Sequence, residues 1–144
     1  MTPSLPDILV GNFLCLADPP PPESAGEFMA GRVGATALLS LLAAQEAERG
    51  LTARVWENDA IRVLLSEAAP VHGEVFAAAA TASPVDDFTL AGLDRANAAL
   101  RRALIALHEA VEAARDTARD HAILRLYRDM AHARRLVMPP LPGR

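Results

Sequence analysis

The sequence predicts an all-α protein, a bundle of four or five mostly antiparallel helices with a long C-terminal helix or helix pair. Two observations support this prediction. Of the 11 prolines, only Pro70 and Pro84 fall between residues 23 and 138, and proline interrupts helices because it removes a backbone donor. Alanine, the strongest helix former, is the most frequent residue. The chain should therefore contain long helices joined by short loops.

Residues 1–22 are expected to form an apolar segment followed by a polyproline spacer. The apolar part fits either a helix or a hairpin that turns at Gly11 and Asn12. We favour the helix, because a lone hairpin is marginally stable and the rest of the sequence supplies no strand to join it. The helix would present one apolar face, made of Leu5, Ile8, Leu9, Phe13 and Leu16. The single cysteine, Cys15, lies between leucines and is expected to be buried.

A single bundle domain is expected over residues 23–138. A capping box formed by Ser24 and Glu27 predicts the start of its first helix, and Gly50 predicts the end. Small residues recur every four positions near the start of this helix, at Gly26, Ala30 and Gly34. Such a row allows another helix to approach closely, either from the same chain or from a partner chain.

Two shorter helices are expected next, from Thr52 to Ala69 and from Gly73 to Ala82, with prolines 70 and 84 following them. The apolar positions of the first are Val55, Ile61, Leu64, Leu65 and Ala68. The second should turn Val75, Phe76, Ala79 and Ala80 inward.

From Thr89 onward no proline occurs until Pro139, and apolar residues recur with the 3.5-residue period of helical bundles. The positions on this seam are Leu93, Asn97, Leu100, Leu104, Leu107, Val111, Ala114 and Ala118. The pattern shifts near His121, after which the apolar positions are Ile123, Tyr127, Met130 and Val137. The helix therefore either kinks over residues 116–120 or ends and restarts with Thr117 as its cap. Residues 139–144 are expected to form a proline-rich tail.

Two segments share the pattern N-x-A-[I/L]-R-x-x-L, one starting at Asn58 and the other at Asn97. In a chain rich in alanine, arginine and leucine this similarity is more readily a coincidence than an internal repeat. Asn97 lies on the apolar seam in either case, so its amide needs a hydrogen-bond partner. The only tryptophan, Trp56, and the only tyrosine, Tyr127, are expected to be core or interface anchors.

Charge and hydropathy exclude several classes of partner. The formal net charge of −4 argues against nucleic-acid binding, which needs a basic surface. Residues 8–17 resemble the apolar part of a secretory signal but lack basic residues before them and a cleavage site after them. The apolar stretch from Val33 to Ala44 is too short to cross a bilayer. We therefore expect a soluble, cytoplasmic protein without a membrane partner.

One set of titratable residues stands out as a candidate ligand-binding site. Its members recur at four-residue spacings and would share one helix face: His108, Glu112, Asp116 and Asp120, with His121 beside them. Arginines interleave this set, so an ordinary solvated, ion-paired face is the alternative. No H-E-x-x-H motif, paired E-x-x-H motif, nucleophile elbow or phosphate loop is present. No metal, cofactor or catalytic residue is therefore predicted.

These observations predict a non-catalytic interaction or oligomerisation module, which forms a homodimer and could bind another protein. The alternative is a bundle that binds a small ligand or a metal, and could be an enzyme, through the face from His108 to His121. The dimer is expected because the seam is long, the row of small residues permits close packing, and the apolar N-terminal segment needs a cover.

Overall fold

The structure, a computed structural model, describes residues 5–17, 23, 26–82 and 87–140. The helices in these ranges are α1 (Leu5–Leu16), α2 (Glu27–His72), α3 (Val75–Thr81), α4 (Leu90–Ala114) and α5 (Thr117–Ala133). No strand occurs among the described residues, so the predicted all-α class is confirmed. The predicted capping residue Ser24 and the prolines at 19–22 lie outside the described residues.

Two compact units can be distinguished. The N-terminal unit comprises Met1–Gly50 together with Leu136–Arg144, and the C-terminal unit comprises Leu51–Arg135. The predicted domain divisions near residues 22 and 138 remain predictions.

In the N-terminal unit, α1 is a helix, as favoured over the hairpin, but its apolar face differs from the predicted one. Phe13 is buried against Ala37 and Leu41 of α2. The side chains of α1 and its end that also pack here are Val10, Leu14, Leu16 and Ala17. Positions 10, 13, 14 and 17 follow the helical i, i+3, i+4, i+7 spacing, which leaves the predicted Leu5 and Ile8 exposed.

Cys15 is exposed, so the prediction that it is buried was wrong. Its two leucine neighbours in sequence do not share its side of the helix, because successive residues are rotated by 100°. Polar contacts complete this unit. The amide of Asn12 donates to Ser40 Oγ at 2.7 Å, and Gln45 both donates to the carbonyl of Val137 at 2.6 Å and accepts from its N–H at 3.0 Å.

The row of small residues does not mediate close packing within the described part of the chain. Gly26 precedes α2 with a left-handed φ of +75°, which glycine adopts without steric cost. A Cβ atom added at Gly26 or Gly34 would meet no atom within 4 Å. Neither glycine is therefore required by a neighbouring helix of this chain.

The predicted helix end at Gly50 was wrong, because α2 continues through it to His72. Glycine ends a helix when it takes a left-handed conformation, and Gly50 is not among the residues with positive φ. That conformation occurs at Gly73, with φ +120°, whose N–H donates to Ala69 at 2.9 Å. Pro70 lies in the last turn of α2, where the helix extends only two residues beyond it.

The core of the C-terminal unit is formed by α3, α4, α5 and the part of α2 after Gly50. Its buried members are Ile61, Leu65, Ala68, Ala69, Phe76, Ala80, Leu100, Leu104, Leu107, Val111, Ile123 and Met130. The predicted seam is thus buried from Leu93 to Val111. Val75, which the sequence placed inward, is 67% exposed because Phe76 and Ala80 occupy the buried side of the short α3.

Of the two alternatives for the long C-terminal segment, the structure shows an end and a restart. Helix α4 ends at Ala114, and Arg115 takes the left-handed conformation with φ 55°. The cap of α5 is Asp116 rather than the predicted Thr117, since the Asp116 carboxylate accepts from the N–H of Arg119 at 3.1 Å. Because the helix breaks here, the seam positions Ala114 and Ala118 are exposed. Val137 lies beyond α5 and is also exposed.

Candidate functional site

The break after Ala114 distributes the predicted ligand-binding residues over two helices instead of one face. His108 and Glu112 belong to α4, whereas Asp120 belongs to α5. Three of the five predicted residues nevertheless come together. His108 Nε2 lies 2.9 Å from Asp120 Oδ1 and 3.8 Å from Glu112 Oε1. One potential ligand atom from each lies within 4.8 Å of the others.

The other two predicted residues, Asp116 and His121, are not in this cluster. His121 is exposed. Asp116 faces His72, whose Nε2 lies 3.1 Å from Asp116 Oδ2, and it also accepts from Arg119 Nη1 at 3.0 Å. The Arg119 backbone N–H, followed by the His72 hydrogen bond, lowers the pKa of Asp116. Asp116 therefore joins the start of α5 to the end of α2.

Chemically, His108, Glu112 and Asp120 form a set of one imidazole and two carboxylates, which are ligands suited to a divalent transition metal. His108 is partly buried, and its ring centroid lies 5.7 Å from that of Tyr127. Glu112 is more open, with a side chain that is 66% exposed. The cluster could hold a cation with three protein ligands, and it is otherwise held together by the His108–Asp120 contact.

A buried ionic network in the C-terminal unit was missed by the sequence analysis. Glu57 is fully buried. Arg134 binds it through two parallel hydrogen bonds, from Nε to Oε1 at 2.6 Å and from Nη2 to Oε2 at 2.7 Å. Arg101 Nη2 and Asn97 Nδ2 also donate to Oε2, at 3.2 Å and 3.1 Å. Such paired geometry is what a buried carboxylate needs to remain charged.

The pKa of the Glu57 carboxyl reflects this competition. Burial alone raises the pKa, but the hydrogen bonds and positive charges of Arg134 and Arg101 outweigh it, and the net direction is below the ordinary value. The pKa of Arg134 is raised by its hydrogen bond to Glu57. Glu57 is thus an ionised carboxylate at neutral pH, and it fixes the guanidinium of Arg134.

The two segments that share the N-x-A-[I/L]-R-x-x-L pattern meet at this network. Asn97 Nδ2 donates to Asn58 Oδ1 at 2.9 Å, which supplies the partner that the sequence analysis required for Asn97. Asn58 in turn donates to the carbonyl of Leu93 at 3.2 Å. A usable signal for Glu57 was present, because Glu57 precedes Ile61 by one helical turn and so extends the buried stripe of α2.

A cavity of about 430 Å³ lies beside the network, between α4 and α5. Its apolar walls are Leu104, Ile105, Met130 and Ala131, with Tyr127 among them. Arg101 and Arg134 also line it, so the two arginines that bind Glu57 border the same space. Burial raises the pKa of Tyr127, and the charge of Arg101 offsets part of that effect. We call this space the α4–α5 cavity.

In the N-terminal unit, α2 presents an uncovered apolar surface. Its members are Phe28, Ala35, Leu38, Leu39 and Leu42, all exposed and spaced at intervals of 7, 3, 1 and 3 residues. Phe28 and Leu39 are 76% and 65% exposed. We call this set the α2 apolar face. Trp56, expected to be a core or interface anchor, is 40% exposed and does not belong to the core.

Among the described residues, one helix segment, Phe28–His72, is long and apolar enough to cross a membrane, and 22% of its most apolar window is buried. Membrane-spanning helices, signal sequences and the core helices of soluble proteins share these properties of length and composition.

No protein-family model, no curated protein and no solved structure matches this chain.

Proposed function

We propose that the protein is a non-catalytic interaction module that self-associates as a two-fold dimer through the α2 apolar face. The observation that supports this most directly is the exposure of Phe28, Leu38, Leu39 and Leu42 on one helix. Large apolar side chains that are exposed singly need no explanation, but a contiguous set on one face marks an interaction surface.

The spacing of the α2 apolar face favours a second copy of the chain as the occupant. Positions 28, 35 and 42 are seven residues apart, and Leu38 and Leu39 lie between the last two, which is the arrangement of a helical seam with period 3.5. In a two-fold dimer the same face is presented by both chains, so a seam of this kind can pair with itself. Glu27 precedes the Phe28–Leu42 stretch, and Gln45 is the first polar residue after it.

We propose further that the protein is cytoplasmic and is dissolved in water rather than inserted in a membrane. The support is that α1 packs on α2 through Phe13 but has only 12 residues. A helix of that length cannot cross a bilayer beside α2, because crossing requires about 20 residues. The experiment must therefore distinguish a second copy of the chain from a bilayer as the occupant of the α2 apolar face.

Sedimentation equilibrium of the full chain in detergent-free buffer tests the dimer. We expect a mass near twice the 15.3 kDa of one chain, and the monomer mass for a Leu38→Glu/Leu42→Glu variant. Leu124→Glu is the matched control, since Leu124 on α5 is 48% exposed and Leu42 is 49% exposed, and this variant should stay dimeric. A wild-type mass of 15.3 kDa at all loadings, or flotation of the wild type with phospholipid vesicles, would contradict the proposal.

A second candidate function is cation binding, favoured by the approach of His108, Glu112 and Asp120 to within 4.8 Å. Calorimetric titration with Zn²⁺ should then give one site per chain, and His108→Ala should abolish it. His121→Ala is the control, because His121 is exposed and outside the cluster. Absence of a stoichiometric Zn²⁺ site in the wild type would reject cation binding as a function of this cluster.

A further inference from the structure

We infer that the α4–α5 cavity binds a small organic carboxylate with an apolar body. The residues around this cavity carry a net positive charge. Two guanidinium groups, Arg101 and Arg134, share the single carboxylate of Glu57, which leaves one excess positive charge. Arg54 and Asp94 also act on the charge of Arg134, but they form an ion pair at 2.6 Å and together add no net charge. A monoanion would therefore neutralise the site.

Arg101 and Arg134 also supply hydrogen-bond donors. An arginine has five N–H groups in a planar fork. Arg134 donates to the Glu57 carboxylate through Nε and Nη2, and Arg101 donates to it through Nη2. Their side chains are 38% and 42% exposed and both line the cavity, so the Nη donors that Glu57 does not use are available to a ligand. Arg101 Nε is not one of them, because it is buried without a hydrogen-bond partner among the described residues. A carboxylate accepts from guanidinium groups in this geometry.

The rest of the cavity is mainly apolar. Its walls are formed by the hydrocarbon side chains of Leu104, Ile105 and Met130, which favour an apolar ligand. A volume of about 430 Å³ falls within the range of roughly 300–1,000 Å³ that is usual for small-molecule sites. An anion with a short alkyl or aromatic body would fit both the donors and the walls, whereas a highly charged phosphate ester would fit only the donors.

The role of Glu57 follows from the same contacts. Glu57 does not face the ligand, because its side chain is fully buried beneath the groups that donate to it, Arg134, Arg101 and Asn97. It acts as a positioning residue that holds the two guanidinium groups before the ligand arrives. Preorganised donors reduce the cost of ordering them on binding.

Calorimetric titration of the full chain with decanoate tests the inference, with decan-1-ol and acetate as analogues that lack the charge and the apolar body. We expect one decanoate site per chain and binding weaker by about tenfold or more for each analogue, which is the effect of losing one charged hydrogen bond or the buried methylene groups. Equal affinity for decanoate and decan-1-ol would overturn the inference.

Matched variants locate the site. Arg101→Met keeps the apolar stem and should weaken decanoate by about tenfold or more, whereas Arg102→Met, a change of the exposed neighbour on α4, should leave the affinity unchanged. Ile105→Asp should also weaken binding, and Leu124→Asp should not; both side chains are exposed, by 55% and 48%. Circular dichroism and thermal melts verify the folding of each variant.

The α2 apolar face could itself bind decanoate. If the site is the α4–α5 cavity, the Leu38→Glu/Leu42→Glu variant should still bind decanoate with the wild-type affinity. Loss of binding in that variant, no binding by the wild type, or undiminished binding by Arg101→Met would each reject the cavity. The oligomeric state of the chain is measured separately, so failure here does not affect the proposed dimer.

Discussion

The two parts of α2 differ in a way that hydropathy does not predict. Before Gly50 the helix is rich in leucine, yet Leu38, Leu39 and Leu42 are exposed. After Gly50 it contains Glu57, a charged residue that is fully buried. The most apolar window of the helix is thus largely uncovered, while a carboxylate occupies the interior of the C-terminal unit.

This contrast shows that burial is decided by available partners. Glu57 can be buried because Arg134, Arg101 and Asn97 supply hydrogen bonds to both of its oxygens. Leu38, Leu39 and Leu42 are not covered by any described part of the chain, since α1 packs on the side of α2 that carries Ala37 and Leu41. The part of the helix after Gly50 is covered within the chain, whereas the part before it leaves a set of large apolar side chains exposed, which is typical of interaction surfaces.

The largest effect is expected from breaking the buried ion pair. Arg134→Met should lower the free energy of unfolding by about 3–5 kcal/mol, because it removes two of the hydrogen bonds that compensate a buried charge. Chemical denaturation measures this change. Arg128→Met is the control, since Arg128 pairs with Asp129 on the surface and should matter by less than about 1 kcal/mol.

A double variant separates a lost contact from a stranded charge. If the cost arises from the unpaired carboxylate, Glu57→Leu/Arg134→Met should recover part of the stability lost in Arg134→Met. A double variant that is less stable by the sum of the two single losses would show that the ion pair contributes no coupling.

The next largest effect is expected from matched leucine truncations in the two units. Leu104→Ala should cost about 2–5 kcal/mol, because Leu104 is fully buried and its removal leaves a cavity. Leu39→Ala, at a position 65% exposed, should leave the unfolding free energy of the monomer nearly unchanged and weaken self-association instead. Denaturation at dilute loading and sedimentation at high loading measure the two quantities. An unchanged stability of Leu104→Ala would reject the core assignment of the seam.

A smaller effect is expected from acid. The pKa of Glu57 is lower in the folded protein than its ordinary 4.5, so the unfolded chain takes up the proton first as the pH falls. Glu57 therefore contributes stability that is fully present at neutral pH and is lost below about pH 4.5, through the folded-state pKa. Denaturation between pH 7 and pH 3 should show a steeper loss in the wild type than in Glu57→Gln. Parallel curves for the two proteins would contradict this assignment.

The seam and the helical class could be predicted because they depend on periodicity, which the sequence contains in full. Leu93, Leu100 and Val111 are buried as their spacing required. Helix ends were harder, since the same residue type gives opposite results. Gly50 is helical, and a Cβ added there would lie 2.5 Å from the Glu46 side chain, whereas Gly73 takes a left-handed φ and ends α2.

The candidate sites depended on contacts between distant residues, which spacing could not provide. His108 and Asp120 were expected on one face of a single helix, yet they meet at 2.9 Å across the break at Arg115. Glu57 and Arg134 are 77 positions apart. Only the apolar stripe that includes Glu57 indicated that this carboxylate would be buried, and nothing in the sequence identified its partner.

The smallest effect compares two acidic residues that the sequence placed on one solvated face. Asp116→Ala should lower the melting temperature more than Glu112→Ala does. Asp116 caps α5 through the N–H of Arg119 and contacts Nε2 of His72, whose side chain is 4% exposed. Glu112 is 66% exposed, and its carboxylate lies 3.8 Å from His108 Nε2, so its removal should cost less than about 1 kcal/mol.

A cycle with His72→Gln completes the comparison, because the effect of Asp116→Ala should diminish when its histidine partner is absent, while the effect of Glu112→Ala should not change. Asp116→Ala removes the cap on the Arg119 N–H both in the wild type and in His72→Gln, so this part of its effect should be the same in the two proteins. Equal melting temperatures for Asp116→Ala and Glu112→Ala would restore the solvated face that the spacing predicted and would remove Asp116 from the contacts that join α2 to α5.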